Sequence, residues 1–158
     1  MSHLKRADII VFTKSEELQP HKKILNRAKQ TNLPIFYSSV KLSGFSKNDS
    51  NVHEPAPNTR AVAVSAIADP KSFYRSLENT SIDVVSKISF FDHYEFKQTD
   101  IDNFKEILEK NNAEIIITTE KDLVRLSGLN LNGVEVYTLN IEFSLDDEGV
   151  DYLNSFLN

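Results

Sequence analysis

Short runs of apolar, mostly β-branched residues alternate along this chain with segments whose apolar residues recur at helical spacing. The strand-like runs include residues 7–13, 60–68 and 114–118, and a clear helical stripe lies within residues 99–110. Strands that alternate with helices are typical of α/β folds, in which the crossover helices cover a parallel sheet. We therefore predict an α/β fold with a mostly parallel, Rossmann-like sheet flanked by helices.

Three helix starts carry residues that can cap the first turn. Asp69 precedes Pro70, an order in which the carboxylate caps the helix and proline takes its first position. Residues 99–102 and 119–122 each begin with threonine and end with aspartate, which is the spacing of a capping box. These signals predict helices that begin soon after the strand-like runs.

A polar stretch without periodicity separates the first part of the chain from the rest. We predict that residues 44–59 form a linker or long loop between a strand–helix–strand segment, 1–43, and an α/β domain, 60–158. The helix of the first segment is predicted to start at residues 15–17, with Pro20 in its first turn.

The charge balance also changes sign near this boundary. Residues 1–55 carry nine Lys or Arg against five Asp or Glu, whereas residues 56–158 carry nine against eighteen. The larger, acidic part would repel phosphate backbones, so we predict no nucleic-acid partner. The basic first part can face anionic lipid or phosphate, although a solvated helix surface explains its lysines more simply.

Composition excludes several other kinds of site and protein. The chain has no cysteine, which rules out disulfides and thiolate metal sites, and none of its four histidines has the helical spacing of a metal-ligand pair. We therefore predict no metal site. The sequence shows neither a signal peptide nor an apolar run of about 18 residues, the length that a bilayer span needs.

Two strand-like runs end in polar clusters, and these clusters hold the main candidate site residues. Asp92 and His93 follow the run at residues 88–91. Residues 118–122 (Thr-Thr-Glu-Lys-Asp) lie at the end of the run that starts at residue 114. Sites in parallel α/β sheets lie beyond the carboxyl ends of the strands. A histidine beside a carboxylate suits acid–base work near neutral pH. A simple turn hydrogen bond would explain His93 equally well, so both interpretations stay open.

The second cluster, Thr118, Thr119, Glu120, Lys121 and Asp122, offers hydroxyl and backbone N–H groups to an anion at a helix start. A capping box alone accounts for Thr119 and Asp122. Lys121 opposes the helix dipole there, so either a phosphate contact or a salt bridge is expected for it.

Thr13 and Lys14, after the first strand-like run, form a weaker candidate for a nucleotide contact. Solvation alone also explains a single lysine at this position. With four glycines in total, the chain contains no Gly-x-x-x-x-Gly-Lys-Ser/Thr loop and no Gly-x-Gly-x-x-Gly loop to cradle phosphates. The residues alone therefore do not provide a complete catalytic apparatus.

Taken together, these motifs resemble the tetraacyldisaccharide 4′-kinase family, the lipid A 4′-kinases of Gram-negative bacteria. The resemblance covers nearly the whole chain, and its specific parts are Asp-His and Thr-Thr-Glu-Lys-Asp. The motifs that carry it are residues 6–14, 66–70, 91–94 with Phe96 and Asp100, and 117–125.

The resemblance implies a kinase that uses ATP and Mg²⁺ to phosphorylate the 4′-hydroxyl of a tetraacyldisaccharide 1-phosphate, the lipid A disaccharide precursor. It implies a cytoplasmic enzyme peripheral to the inner membrane, whose N-terminal P-loop domain holds the nucleotide. The residues matched here correspond to the C-terminal portion, so residues 1–43 are expected to join the missing domain. His93 matches a family histidine that supports a catalytic aspartate of that domain across a cleft, and residues 118–122 match a motif at the same cleft.

Three functional hypotheses follow. The first is the C-terminal part of that kinase, inactive alone and binding no nucleotide tightly. The second is a stand-alone non-catalytic module that binds lipid or a protein partner. The third is a small enzyme that uses Asp92 and His93 on a phosphate ester. If the first holds, we also expect an exposed apolar edge at the strand of residues 7–13.

Overall fold

The computed structural model describes residues 6–13, 20–47 and 53–157, and the chain divides into two compact units. One unit comprises Met1–Lys41 with Ile141–Asn158, and the other comprises Leu42–Asn140. The elements in chain order are β1 (Ile10–Phe12), α1 (Lys22–Lys29), β2 (Ile35–Lys47), β3 (Arg60–Ser65), α2 (Pro70–Glu78), β4 (Asp83–Ser89), α3 (Gln98–Lys110), β5 (Ile115–Thr119), α4 (Glu120–Leu126), β6 (Val136–Leu145) and α5 (Asp147–Leu157).

The second unit is built on a parallel sheet in which the strands are ordered β6-β5-β3-β4. In register, Ala63 lies beside Ile117 of β5 and Lys87 of β4, and Ile117 lies beside Tyr137 of β6. Helices connect these strands, so the predicted α/β class with a mostly parallel sheet flanked by helices is confirmed. The carboxyl ends of β3, β4 and β5 consequently point to the same edge.

Each face of this sheet buries its own apolar layer. Val62, Val64 and Ile116 pack with Phe104 of α3, and on the opposite face Ala63 belongs to a layer that includes α2. The alternation along β3 explains this division, because successive side chains of a strand point to opposite faces. Full burial of one large apolar side chain contributes about 1.5–3 kcal/mol, so the two layers hold the strand ends in place.

Helix α2 starts as predicted. The Asp69 carboxylate accepts a hydrogen bond from the Ser72 N–H at 3.2 Å, and Pro70 occupies the first helical position. This proline needs no N–H partner there, and its fixed φ suits the first turn.

Helix α3 starts one residue earlier than its predicted cap, so the expected Thr99–Asp102 capping box is wrong. The helix begins at Gln98, which places Thr99 inside the first turn. Asp100 supplies the cap instead, because its buried Oδ2 accepts the Lys97 N–H at 2.7 Å.

Helix α1 also differs from its prediction. It begins at Lys22, and the His21 Nδ1 accepts the Lys23 N–H at 3.3 Å. Pro20 therefore precedes the helix rather than lying in its first turn. The predicted helix start at residues 15–17 lies outside the described residues.

In the first unit, β1 pairs in parallel with β2, with Ile10 beside Ile35 and Phe12 beside Tyr37. Within the part of the chain that the structure describes, β2 is the only strand that pairs with β1. Residues 10–12 are half-buried, so β1 is an edge strand that is partly covered rather than bare.

The predicted division at 1–43, 44–59 and 60–158 stays a prediction, but the secondary structure of its linker needs a correction. The second strand of the 1–43 segment was expected to end before the loop that starts at residue 44, yet β2 continues to Lys47. Phe45 explains the extension, because it is buried in the apolar layer that contains Ala63. Of the helices in residues 6–13, 20–47 and 53–157, none has both the length and the apolar character that crossing a bilayer requires.

Candidate functional site

Polar groups from three strand ends meet at one edge of the second unit's sheet. Ala66 follows β3, His93 follows β4, and Thr119 ends β5 and begins α4. Hydrogen bonds link all three segments through two side chains of α4, Asp122 and Arg125. This is the edge at which parallel α/β sheets place their sites.

Asp122 is the buried anchor of this edge. Its side chain is fully buried, and its Oδ2 accepts the Ala66 N–H at 3.0 Å and the Thr119 hydroxyl at 2.8 Å. Its Oδ1 accepts Arg125 Nη1 at 3.0 Å. Two hydrogen bonds and an ion pair offset the cost of taking this carboxylate out of water. Asp122 therefore ties the end of β3 to the start of α4.

The capping box predicted for residues 119–122 is only half present. Thr119 is the N-cap, and its Oγ1 accepts the Asp122 N–H at 3.2 Å. The carboxylate accepts hydrogen bonds from the Thr119 hydroxyl, from the Ala66 N–H just after β3 and from Arg125. Capping alone therefore does not account for Asp122, which also joins two strands.

Arg125 connects this anchor to His93. Its Nη1 donates to Asp122 and to the Ala66 carbonyl, the latter at 2.9 Å, and its Nη2 lies 3.4 Å from His93 Nδ1. Arg125 lies within the family motif at residues 117–125, but it was not predicted as a site residue. Its i+3 spacing from Asp122 on a helix was the available signal, because side chains three residues apart are neighbours.

His93 lies in the turn after β4 in a left-handed backbone conformation, with φ of 62°. Asp92 Oδ1 accepts the His93 N–H at 3.0 Å, so the turn hydrogen bond exists. The ring is 84% exposed, and its Nε2 lies 3.7 Å from Asp92 Oδ2. His93 therefore has both a turn hydrogen bond and a side-chain contact to the neighbouring helix.

Because of this φ, replacing His93 with glycine should not destabilise the fold. A non-glycine residue in this region costs about 1–2 kcal/mol, and glycine adopts it without that strain. We expect His93→Gly to leave the free energy of unfolding unchanged or to raise it by up to about 1 kcal/mol. Urea titration followed by circular dichroism measures this, and a loss above about 1 kcal/mol would show that the ring contacts dominate.

Tyr74 of α2 forms hydrogen bonds with the carboxyl end of β4, at the same edge of the sheet. Its hydroxyl donates to the Ile88 carbonyl at 2.7 Å and lies 2.9 Å from Ser89 Oγ. Burial raises the pKa of the Tyr74 phenol, and the negative charge of Asp122 adds to this increase. The phenol is therefore a neutral hydrogen-bond donor at physiological pH.

The remaining candidates are dispersed. Glu120 and Lys121 are exposed on the first turn of α4, and no ion pair holds Lys121 within the described residues. Thr118 is fully buried in β5, and among the described residues its hydroxyl has no hydrogen-bond partner. Thr13 is exposed and belongs to the other compact unit, and Lys14 lies outside the described residues.

The described residues do not fit a site for ATP and Mg²⁺. Within these residues, no group of three His, Asp or Glu side chains is arranged to hold a metal ion. Helix α4 has seven residues, and the Asp122 N–H of its first turn is already bonded to Thr119. An anion approaching this helix start would also meet the negative charges of Glu120 and Asp122.

Comparison with known proteins agrees with the family resemblance. Residues 1–158 match the family described as tetraacyldisaccharide-1-P 4′-kinase. The tetraacyldisaccharide 4′-kinase of Halothermothrix orenii is 30% identical, over 92% of this chain and 43% of its own length. That of Syntrophobacter fumaroxidans is 33% identical, over 92% and 40%.

A solved structure shows the same fold. It is LpxK from Aquifex aeolicus in complex with ATP, with a TM-score of 0.59 and 24% identity over 94% of this chain and 42% of that one. The chain thus spans less than half the length of these relatives. Because the family match covers every residue of the sequence, this chain belongs to the tetraacyldisaccharide-1-P 4′-kinase family.

Proposed function

We propose that this chain supplies one side of the active site of an ATP-dependent kinase that phosphorylates the 4′-hydroxyl of tetraacyldisaccharide 1-phosphate, in lipid A biosynthesis. Its partners are the lipid A disaccharide precursor, a P-loop domain that holds ATP and Mg²⁺, and the surface of the inner membrane. The enzyme works in the cytoplasm, peripheral to that membrane. Family membership supports the reaction class, and the linked His93, Arg125 and Asp122 support the location of the site.

Phosphoryl transfer depends mostly on positioning and on stabilising charge. His93 is exposed at the strand ends, so a group on a second domain can reach its ring. Arg125, which is paired with the buried Asp122, contacts one nitrogen of that ring. In this proposal His93 and Asp92 orient the group that activates the acceptor hydroxyl, and residues 118–122 support them. Thr13 and Lys14 remain candidates for a nucleotide contact.

The described residues lack a cradle for the nucleotide, so we propose that the chain alone transfers no phosphate. The test compares the purified chain with a chimaera in which it replaces the matching segment of the Halothermothrix orenii relative. Each is incubated with labelled ATP, Mg²⁺ and tetraacyldisaccharide 1-phosphate. We expect transfer by the chimaera and none by the chain.

Two results would contradict the proposal. Transfer by the chain alone would show that it holds its own nucleotide site. A chimaera that is folded by circular dichroism but inactive would favour the alternative of a non-catalytic module that binds lipid or a protein partner. The relative itself is the positive control for substrate quality.

A further inference from the structure

Arg125 is held more firmly than a surface arginine usually is. Its Nη1 donates to the fully buried Asp122 carboxylate and to the carbonyl of Ala66, which is itself fully buried. The side chain is only 24% exposed. Two buried acceptors, Asp122 on α4 and Ala66 just after β3, fix the plane of the guanidinium, so the direction of the Nη2 N–H bonds is fixed as well.

That second nitrogen faces His93. Nη2 lies 3.4 Å from His93 Nδ1, and a guanidinium carries only hydrogen-bond donors. A hydrogen bond between them therefore requires a lone pair on Nδ1. A neutral imidazole with a lone pair on one nitrogen carries its hydrogen on the other.

We propose that Arg125 is a positioning residue that holds neutral His93 in the tautomer with its hydrogen on Nε2. The ring then offers an N–H donor rather than a lone pair to whatever approaches Nε2. The ligand group that fits is an oxygen that accepts a hydrogen bond.

The other side of the ring agrees with this assignment. His93 Nε2 lies 3.7 Å from Asp92 Oδ2, and a carboxylate oxygen only accepts hydrogen bonds. The same Asp92 side chain accepts the His93 N–H through Oδ1 at 3.0 Å, which keeps it beside the ring. At 3.7 Å this contact is electrostatic rather than a hydrogen bond, so it favours the same tautomer and leaves the Nε2–H available to a ligand.

The inference rests on the proposed function only for the identity of the oxygen that meets Nε2. If His93 itself removed the proton from the acceptor hydroxyl, Nε2 would have to carry a lone pair. The inferred tautomer instead makes His93 an orienting donor toward a base or phosphate elsewhere. The tautomer is a property of this chain and is measurable without any kinase activity.

The experiment is nitrogen-15 NMR of the histidine rings in the intact chain, at a pH where the rings are neutral. A ring nitrogen that carries hydrogen and one that carries a lone pair have well separated chemical shifts. The His93→Gln variant identifies the His93 signals among the four histidines. The reference ratio comes from the same chain unfolded in urea.

We expect the ratio of the Nε2–H to the Nδ1–H tautomer to be at least about tenfold higher in the folded chain than in urea, as a hydrogen bond to a charged group would produce. In Arg125→Gln the ratio should fall back toward the urea value, because an amide can donate or accept. Arg125→Lys keeps a pure donor and should restore the excess. Arg27→Gln, on the exposed surface of α1, is the matched control and should change nothing.

A folded wild-type ring with an Nδ1–H, or with the urea ratio, would overturn the proposal. So would a folded Arg125→Gln variant that keeps the full excess. If Arg125→Gln fails to fold, Arg125→Lys decides: the Nε2–H excess supports the proposal, and its absence contradicts it.

Discussion

His93→Ala should lower kcat for transfer to tetraacyldisaccharide 1-phosphate by about 10²–10³-fold in the chimaera, the usual effect of removing one preorganised hydrogen-bond donor. The ring is the most exposed member of the linked set at the strand ends, with 84% of its side chain accessible. Its loss removes the group that an incoming domain can contact but leaves Asp122 and Arg125 paired. KM for ATP should change little, because the proposal assigns the nucleotide to the P-loop domain and not to His93.

The measurement is the initial rate of labelled phosphate transfer at saturating ATP. Lys110→Ala is the control, since Lys110 is exposed in the last turn of α3 and has no place in the proposed site. Its rate should match that of the parent chimaera. A His93→Ala rate within about twofold of the parent would remove His93 from the mechanism.

Asp122→Ala should have the largest effect on stability, lowering the free energy of unfolding by about 3–5 kcal/mol. The substitution leaves the Arg125 guanidinium without its buried partner and leaves the Ala66 N–H without an acceptor. Asp122→Asn keeps the shape but loses the charge, so its cost should be about 1–3 kcal/mol.

A urea titration followed by the amide signals of β3 and β5 measures these changes within the second unit. Asp102→Ala is the control, because its carboxylate is 61% exposed and makes a surface ion pair with Lys105 at 3.6 Å. Its effect should stay within about 0.5 kcal/mol. If Asp122→Ala cost no more than this control, the anchor assigned to Asp122 would be wrong.

The parts of the fold that follow from local sequence were predictable. Continuous apolar runs indicated β3 and β5, and the order Asp69-Pro70 indicated the start of α2, because both signals act within a few residues. The parallel order of these strands followed from the helices between them. Family motifs supplied the reaction class.

The parts that depend on distant contacts were not predictable in the same way. Strand β2 reaches Lys47 through a polar sequence that resembles a loop, and Phe45 extends it by burial against residues far along the chain. Helix α3 is capped by Asp100 and not by the predicted Thr99. The Asp100 carboxylate also accepts the Tyr94 hydroxyl, at 3.2 Å. Propensity alone does not report such contacts.

The site also has features that local sequence predicts and features that depend on distant contacts. Its strand-end location followed from the rule for parallel sheets, and His93 was selected for its chemistry. Arg125 was overlooked, since its role depends on a contact to His93, 32 positions earlier in the chain. Thr118 was grouped with a helix start, whereas it lies fully buried in β5.

The most direct test of the central claim, that His93 and Arg125 act together at the strand ends, is a double-mutant cycle on kcat in the chimaera. We predict that Arg125→Gln lowers kcat when His93 is present, and that His93→Ala with Arg125→Gln is no slower than His93→Ala alone, because the arginine acts through the ring it positions. If the two losses multiply instead, Arg125 acts independently of His93, and the linked site described here is contradicted.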